Sequence, residues 1–251
     1  KIELTNIGKR YNYEWIFRHL DFQFAPANAY AITGPNGSGK STLLQMIAGS
    51  LIVSEGDIRY DYSRTLLPAE IFRYSAFSAP YLELVEEFSL LEFFTFHQQF
   101  KSFLPELSIS NIIELVGLKK ATDKQLRYFS SGMKQRVKLA QAIFSNVPLI
   151  LLDEPCTNLD AEGIKLYHQL IHDFCSERLI IISSNDKQEY SFCSQEMLQN
   201  KVIGIDGIHR KILIVDKITK KYNSALIAHN EVQNCKLITK YKTLEPGNNQ
   251  S

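Results

Sequence analysis

Cysteine is scarce in this chain and carries no pattern. Cys156, Cys175, Cys193 and Cys235 form no C-x-x-C pair, so the sequence suggests neither a zinc site nor a disulfide framework. Scattered thiols of this kind suit buried positions in a reducing compartment. Long apolar runs are missing too. The longest, such as Leu149-Ile150-Leu151-Leu152 and Leu179-Ile180-Ile181-Ile182, are strand-sized and fall far short of the ~18 residues that a membrane span needs. No secretory-signal pattern stands at the start, so a cytoplasmic chain is expected. A charge excess is also lacking: 28 Lys and Arg balance 27 Asp and Glu, a net charge of +1. Bulk nucleic-acid binding is therefore not expected. The balance is uneven along the chain. Residues 201–251 hold nine basic and four acidic side chains, while residues 1–200 hold nineteen and twenty-three. The basic tail reads first as a solvated segment. Internal repeats and low-complexity stretches are absent.

What is present begins with Gly34-Pro35-Asn36-Gly37-Ser38-Gly39-Lys40-Ser41-Thr42. It fits G-x-x-x-x-G-K-[ST], the phosphate-binding P-loop. The flanks agree with that reading. Ala29–Thr33 is an apolar run of strand length, and Thr42–Ala48 has a helical pattern. Glycines let the backbone N–H groups turn inward as an anion nest at a helix N-terminus. Lys40 supplies a charge for the outer phosphates, and Ser41 a hydroxyl for Mg²⁺.

The rest of the chain alternates between strand and helix. Residues 2–24 read as a hairpin rich in aromatics. A strand follows at Ile58–Tyr60 and another at Phe72–Phe77. Residues 83–129 turn helical, broken at Pro105 and resuming over Ile109–Leu118. Arg136–Phe144 reads as a further helix. Leu149–Leu152 and Leu179–Ser183 read as buried strands of a parallel sheet, and Lys211–Lys217 as one more strand. The alternation implies an α/β sheet, and the helical insertion implies a second lobe. At the end of one buried strand, Asp153 and Glu154 stand side by side. One acid suits a Mg²⁺ shell and the next suits a reacting water.

These features together resemble the ATP-binding subunit of an ABC transporter, over roughly residues 2–208. Phe129-Ser130-Ser131-Gly132-Met133-Lys134-Gln135-Arg136 is similar to the family's signature motif, which faces the γ-phosphate held by a partner subunit. The resemblance implies a P-loop NTPase core with an N-terminal antiparallel β portion and an inserted helical subdomain at about 83–128. It places the ATP-binding domain at 1–210 and leaves 211–251 as a basic C-terminal tail. It also implies ATP and Mg²⁺ as ligands, with Asp153 and Ser41 at the metal and Glu154 as the catalytic base. Tyr11 would stack on adenine, with Tyr13 as a rival. Thr157-Asn158-Leu159-Asp160 resembles the D-loop, although Asp160 equally suits a helix cap. The implied assembly is a homodimer or a heterodimer with another ABC ATPase subunit, seated on the inner face of the membrane against an integral permease. The form of the signature leans toward export.

The chain departs from the family pattern at three positions. Ser78 stands in the place of the Q-loop glutamine, Asn185 in that of the switch histidine, and Met133 in that of the last signature residue. These put the hydrolysis rate in question more than ATP binding. A weakly hydrolysing ABC protein acting as an ATP-dependent binding switch is the alternative reading. His168 and His172 lie one helical turn apart, but no third ligand is evident, and they read as a surface pair.

Overall fold

The computed structural model describes residues 1–194, 201–205 and 212–215. The rest of the basic tail, including Cys235 and residues 244–251, lies outside the described residues. Residues Lys1–Ile214 form one compact unit.

Two sheets organise it. The first is antiparallel, in the order β2-β1-β4-β5, built from β1 (Ile2–Tyr11), β2 (Glu14–Phe24), β4 (Glu55–Asp61) and β5 (Thr65–Leu66). Asn12 and Tyr13 make the two-residue turn between β1 and β2. Asn12 takes φ 52° there, a left-handed conformation that asparagine tolerates. The second sheet has the order β10-β9-β3-β8-β7-β6. It comprises β3 (Ala29–Thr33), β6 (Ser75–Ser78), β7 (Leu149–Asp153), β8 (Leu179–Ser183), β9 (Lys201–Ile205) and β10 (Ile212–Val215). Its β9, β3, β8, β7 and β6 run parallel. β10 extends this sheet past residue 210.

The apolar runs that define β7 and β8 are buried along their whole length, as strands covered on both faces must be. Their side chains alternate between two cores. Leu149, Leu151, Leu179 and Ile181 pack with α1 (Lys40–Ile47) and the antiparallel sheet. Ile150, Leu152, Ile180 and Ile182 face the core that holds the remaining helices. Those are α2 (Leu90–Phe100), α3 (Ile109–Leu115), α4 (Ser131–Ile143) and α5 (Ala161–Phe174).

Local chemistry sets where the helices begin. Ser89 Oγ accepts from the Glu92 amide at 3.2 Å, and Glu92 Oε2 accepts from the Ser89 amide at 2.8 Å. Such a reciprocal cap contributes about 1 kcal/mol. Ser108 and Asn111 do the same for α3. Ser130 caps α4, so that helix starts five residues before Arg136, where the periodicity alone places it. Arg178 closes two helices at once, donating to the carbonyls of Ile143 at 2.7 Å, Ser145 at 3.0 Å and Phe174.

One strand is shorter than expected. Phe72 belongs to a 3₁₀ turn, Pro68–Arg73, and β6 begins at Ser75. Glu70 explains the difference: its carboxylate accepts from the Leu67 amide at 2.9 Å and from Arg64, which fixes the helical turn and buries Ile71.

Candidate nucleotide-binding site

β3 ends at Thr33, and the loop Gly34–Gly39 carries the chain directly into α1. Gly39 caps that helix at φ 96°. A Cβ there would lie 2.3 Å from Ile16 Cγ2 and 3.2 Å from Phe17, so both the backbone conformation and the packing against β2 require glycine. Ser38 closes the loop by donating its amide to Pro35 O at 3.1 Å. Lys40 is buried, and its Nζ donates to Gly34 O at 2.9 Å and to Pro35 O at 3.2 Å. Burial lowers the Lys40 pKa, while the charges of Glu154 and Asp153 raise it. Both acids therefore act on the loop lysine through their charge.

Asp153 ends β7 and pairs in register with Ser183 of β8. Asp153 is buried, and its Oδ1 has no hydrogen-bond partner within the protein; the same holds for the hydroxyls of Ser38, Ser78 and Ser183. Buried polar atoms are nearly always bonded. Here four such oxygens sit in the P-loop and at the ends of β6, β7 and β8. Among the described residues, no group of three or more His, Cys, Asp or Glu is arranged for a metal. One carboxylate oxygen with hydroxyl neighbours suits Mg²⁺, a hard cation that takes one or two carboxylates together with phosphate oxygens. The donor set fits that ion bound with a polyphosphate, not a cage made by protein alone.

Glu154 has an exposed side chain and a left-handed backbone, φ 43°. Such a conformation costs about 1–3 kcal/mol and persists only where the surroundings fix it. Three hydrogen bonds from three elements reach Glu154 and the two residues after it. The Glu154 amide donates to Ser183 O at 2.8 Å. Gln135 Nε2, from α4, donates to Pro155 O at 2.7 Å. The Cys156 amide donates to Glu189 Oε1 at 2.7 Å. Neither Gln135 nor Glu189 was legible as a site residue from sequence. The one signal for Gln135 is a polar residue among the buried positions of α4.

Asn185 follows β8 and reaches the P-loop. Its Nδ2 donates to Asn36 Oδ1 at 2.8 Å, and its Oδ1 accepts from the Gly34 amide at 3.3 Å. Ser78 ends β6 beside Leu152. Just beyond it, the Tyr81 hydroxyl accepts from Gln45 Nε2 of α1 at 2.8 Å. Tyr11 lies at the end of β1 and is half exposed, with Lys9 Nζ 5.2 Å from its ring centroid; Tyr13, at the hairpin tip, is 97% exposed. The structure thus gathers the P-loop, Asp153, Glu154, Asn185 and Ser78 at one edge of the parallel sheet.

Ser130, Ser131 and Gly132 lie elsewhere. With Lys119, Lys120, Arg136 and Asn158–Asp160 they line an open cavity of about 810 Å³ that no P-loop residue lines. Ser130 Oγ accepts from the Met133 amide at 3.2 Å, leaving the hydroxyl proton available to a ligand. Gly132 is required by close approach: a Cβ there would lie 2.9 Å from Asn158 O. Asp160 caps α5 through the Gly163 amide at 2.8 Å. The three described cysteines are free and buried. His168 bonds Gln188 O and His172 bonds Asp173.

The comparisons with known proteins agree on one family. A family model described as ABC transporter matches residues 17–157. A cytochrome c biogenesis ATP-binding export protein, CcmA of Xylella fastidiosa (strain 9a5c), is 37% identical over 61% of this chain and 68% of its own length. The ABC transporter ATP-binding protein YybJ of Bacillus subtilis (strain 168) is 28% identical over 89% of this chain and 100% of its own length. The dimeric structure of a bacterial ABC transporter cassette matches with a TM-score of 0.66 at 21% identity, over 82% of this chain and 95% of that one. A bacterial Atm1-family ABC exporter with ATP bound matches with a TM-score of 0.73 at 16% identity, over 97% of this chain and 42% of that one. The two structures share the fold, and the sequence matches carry the relationship. This chain belongs to the ABC transporter family, as an ATP-binding subunit.

Proposed function

We propose that the chain hydrolyses Mg-ATP at the P-loop edge and that two such cassettes close around the nucleotide to drive a separate membrane permease. The observation that carries the reading is the convergence of Lys40, Asp153, Glu154 and Asn185 on one loop. The amides of Asn36, Gly37 and Gly39, with the Lys40 ammonium, hold the β- and γ-phosphates, and Lys40 exchanges its bonds to Gly34 O and Pro35 O for phosphate oxygens. Ser41 and the unpartnered Asp153 Oδ1 would hold Mg²⁺, which when bound offsets charge on the phosphate oxygens. Glu154 orients the attacking water and takes its proton. Asn185 donates its second amide hydrogen toward the γ-phosphate, and Ser78 orders water beside it. Tyr11 stacks on adenine.

Ser130, Ser131 and Gly132 serve the nucleotide of the opposite cassette. Their cavity contains no P-loop residue, and a two-chain sandwich is the arrangement that gives both half-sites a purpose. The N-terminus of α4 is suited to the anion. For the permease, a groove of about 260 Å³ runs between Phe72, Phe77, His97 and Lys101, and Phe96 and Phe100 stand exposed nearby on α2. Among the described residues no helix is long and apolar enough to cross a membrane, which fits a peripheral subunit on the cytoplasmic face. The word export in the CcmA relatives' names supports the outward direction.

A second reading, a slow ATP-dependent binding switch, draws on Asn185 and Ser78. The Nδ2 and the Oδ1 of Asn185 both already engage the P-loop, and the Ser78 hydroxyl is short and buried. Purification of the full chain from solubilised membranes separates the two readings. Co-purification with a multi-span protein, with Mg-dependent ATPase activity in the complex, supports transport. Recovery from the soluble fraction alone, with negligible turnover, supports the switch.

A further inference from the structure

Glu189 is a buried carboxylate to which the proposed function assigns no role. It lies four residues past Asn185, and Oε1 accepts from the Cys156 amide at 2.7 Å, two residues past Glu154. The carboxylate is buried, with the Ser184 hydroxyl beside it as a further donor. The backbone of Glu189 is itself anchored: Tyr167 of α5 donates its hydroxyl to Glu189 O at 2.9 Å, and His168 Nε2 lies 2.6 Å from Gln188 O. The chain from Glu154 through Asn158 and Asp160 into α5 therefore returns through Tyr167 to Glu189, and the Glu189–Cys156 bond closes the ring. The left-handed Glu154 lies two residues before Cys156, at the point where the chain enters that ring. Nothing about packing alone calls for a carboxylate here, since burial pushes it up to about 7.

We propose that Glu189 is a positioning residue for hydrolysis: its carboxylate holds the Cys156 amide so that Glu154 keeps the backbone conformation that aims its side chain at the reacting water. The proposal rests on Glu154 being the base. It also ties the segment bearing Asn185 to the segment bearing Glu154, so that the two approach the γ-phosphate in a fixed relation. An acceptor at the right reach is what the site needs, and a net charge is not. A displacement of about 1 Å in a catalytic group costs up to roughly 100-fold in rate.

The test is steady-state ATP hydrolysis and equilibrium Mg-ATP binding by the full chain and its Glu189→Gln, Glu189→Asp and Glu189→Ala variants, with Glu154→Gln as reference. Glu189→Gln keeps an acceptor at the same reach and is expected within about threefold of the parent kcat. Glu189→Asp withdraws the acceptor by one methylene, and Glu189→Ala deletes it; both are expected to lose about 10–100-fold in kcat with KM and ATP affinity within twofold. Where Glu189→Ala does not fold, the Gln and Asp pair decides. Parental kcat in Glu189→Asp, or a fall in Glu189→Gln as deep as in Glu189→Asp, overturns the positioning role while a dead Glu154→Gln leaves the base assignment standing. A fully active Glu154→Gln overturns the base assignment, and this proposal with it.

Discussion

The amide of Asn185 donates to the side-chain oxygen of Asn36 at 2.8 Å, joining residues 149 positions apart across the mouth of the P-loop. The same asparagine accepts from the Gly34 amide at 3.3 Å. An asparagine in this place carries no ionisable proton. Asn185→His is expected to raise ATP turnover, most at or below the imidazole pKa of ~6.5, because a partly charged donor bonds phosphate more strongly. Asn185→Ala is expected to lower it several-fold by releasing Gly34 and Asn36. Steady-state rates across pH check this. Equal rates for all three proteins at every pH remove Asn185 from the site.

Lys40 supplies the positive charge of the loop. It is buried, and the charges of Glu154 and Asp153 act on it. Lys40→Ala is expected to weaken Mg-ATP binding by about 10–100-fold, the loss of one or more charged hydrogen bonds of about 1.5–3 kcal/mol. Titration calorimetry on the purified variant measures it, and unchanged affinity contradicts the phosphate role.

The second cavity makes a prediction of its own. Ser130→Arg fills it with a bulky cation, and Gly132→Val presses on Asn158 O, 2.9 Å from the new Cβ. Each is expected to leave ATP binding by the single chain within twofold, because the P-loop is untouched. Each is expected to abolish ATP-induced dimerisation on a Glu154→Gln background, as read by light scattering. Normal dimers in both variants argue against the sandwich.

His97 gives the stability a pH dependence. Its Nδ1 lies 3.1 Å from Gln141 Nε2 and its Nε2 3.0 Å from Ser145 Oγ, an arrangement that suits the neutral ring. Burial, with Lys101 nearby, lowers its pKa from 6.5 to about 4. Between those values the unfolded chain binds more protons, so this contribution is fully present above pH 6.5 and is lost as pH falls toward 4. The expected size is roughly 1–3 kcal/mol. Thermal melts of the parent from pH 7 to 4.5 should fall more steeply than those of His97→Gln, and parallel curves contradict the assignment.

How much of this was legible in the sequence depends on whether a feature is local. The P-loop, the pair Asp153 and Glu154, and the capping serine Ser130 are contiguous motifs whose chemistry requires their spacing. The buried runs of β7 and β8 declared themselves because strands covered on both faces have no polar alternation. Gln135 and Glu189 escaped because each acts on the backbone of a residue 20 and 33 positions away, and a single side-chain-to-amide bond leaves no periodic trace. The extent of β6 was misread because Glu70 and Arg64 stabilise a turn over an apolar stretch that otherwise resembles a strand. The engagement of Asn185 with Asn36 likewise depends on the parallel pairing of β3 and β8, which no local pattern encodes.

The most direct measurement is phosphate release by Glu154→Gln beside the parent, with Mg-ATP binding determined for both. The substitution keeps the shape of the side chain and removes the base. The account predicts retained binding, a longer-lived ATP-bound dimer, and turnover reduced by about 10²–10⁴-fold, the range for losing a general base. Turnover within twofold of the parent would place the base elsewhere and contradict the account at its centre.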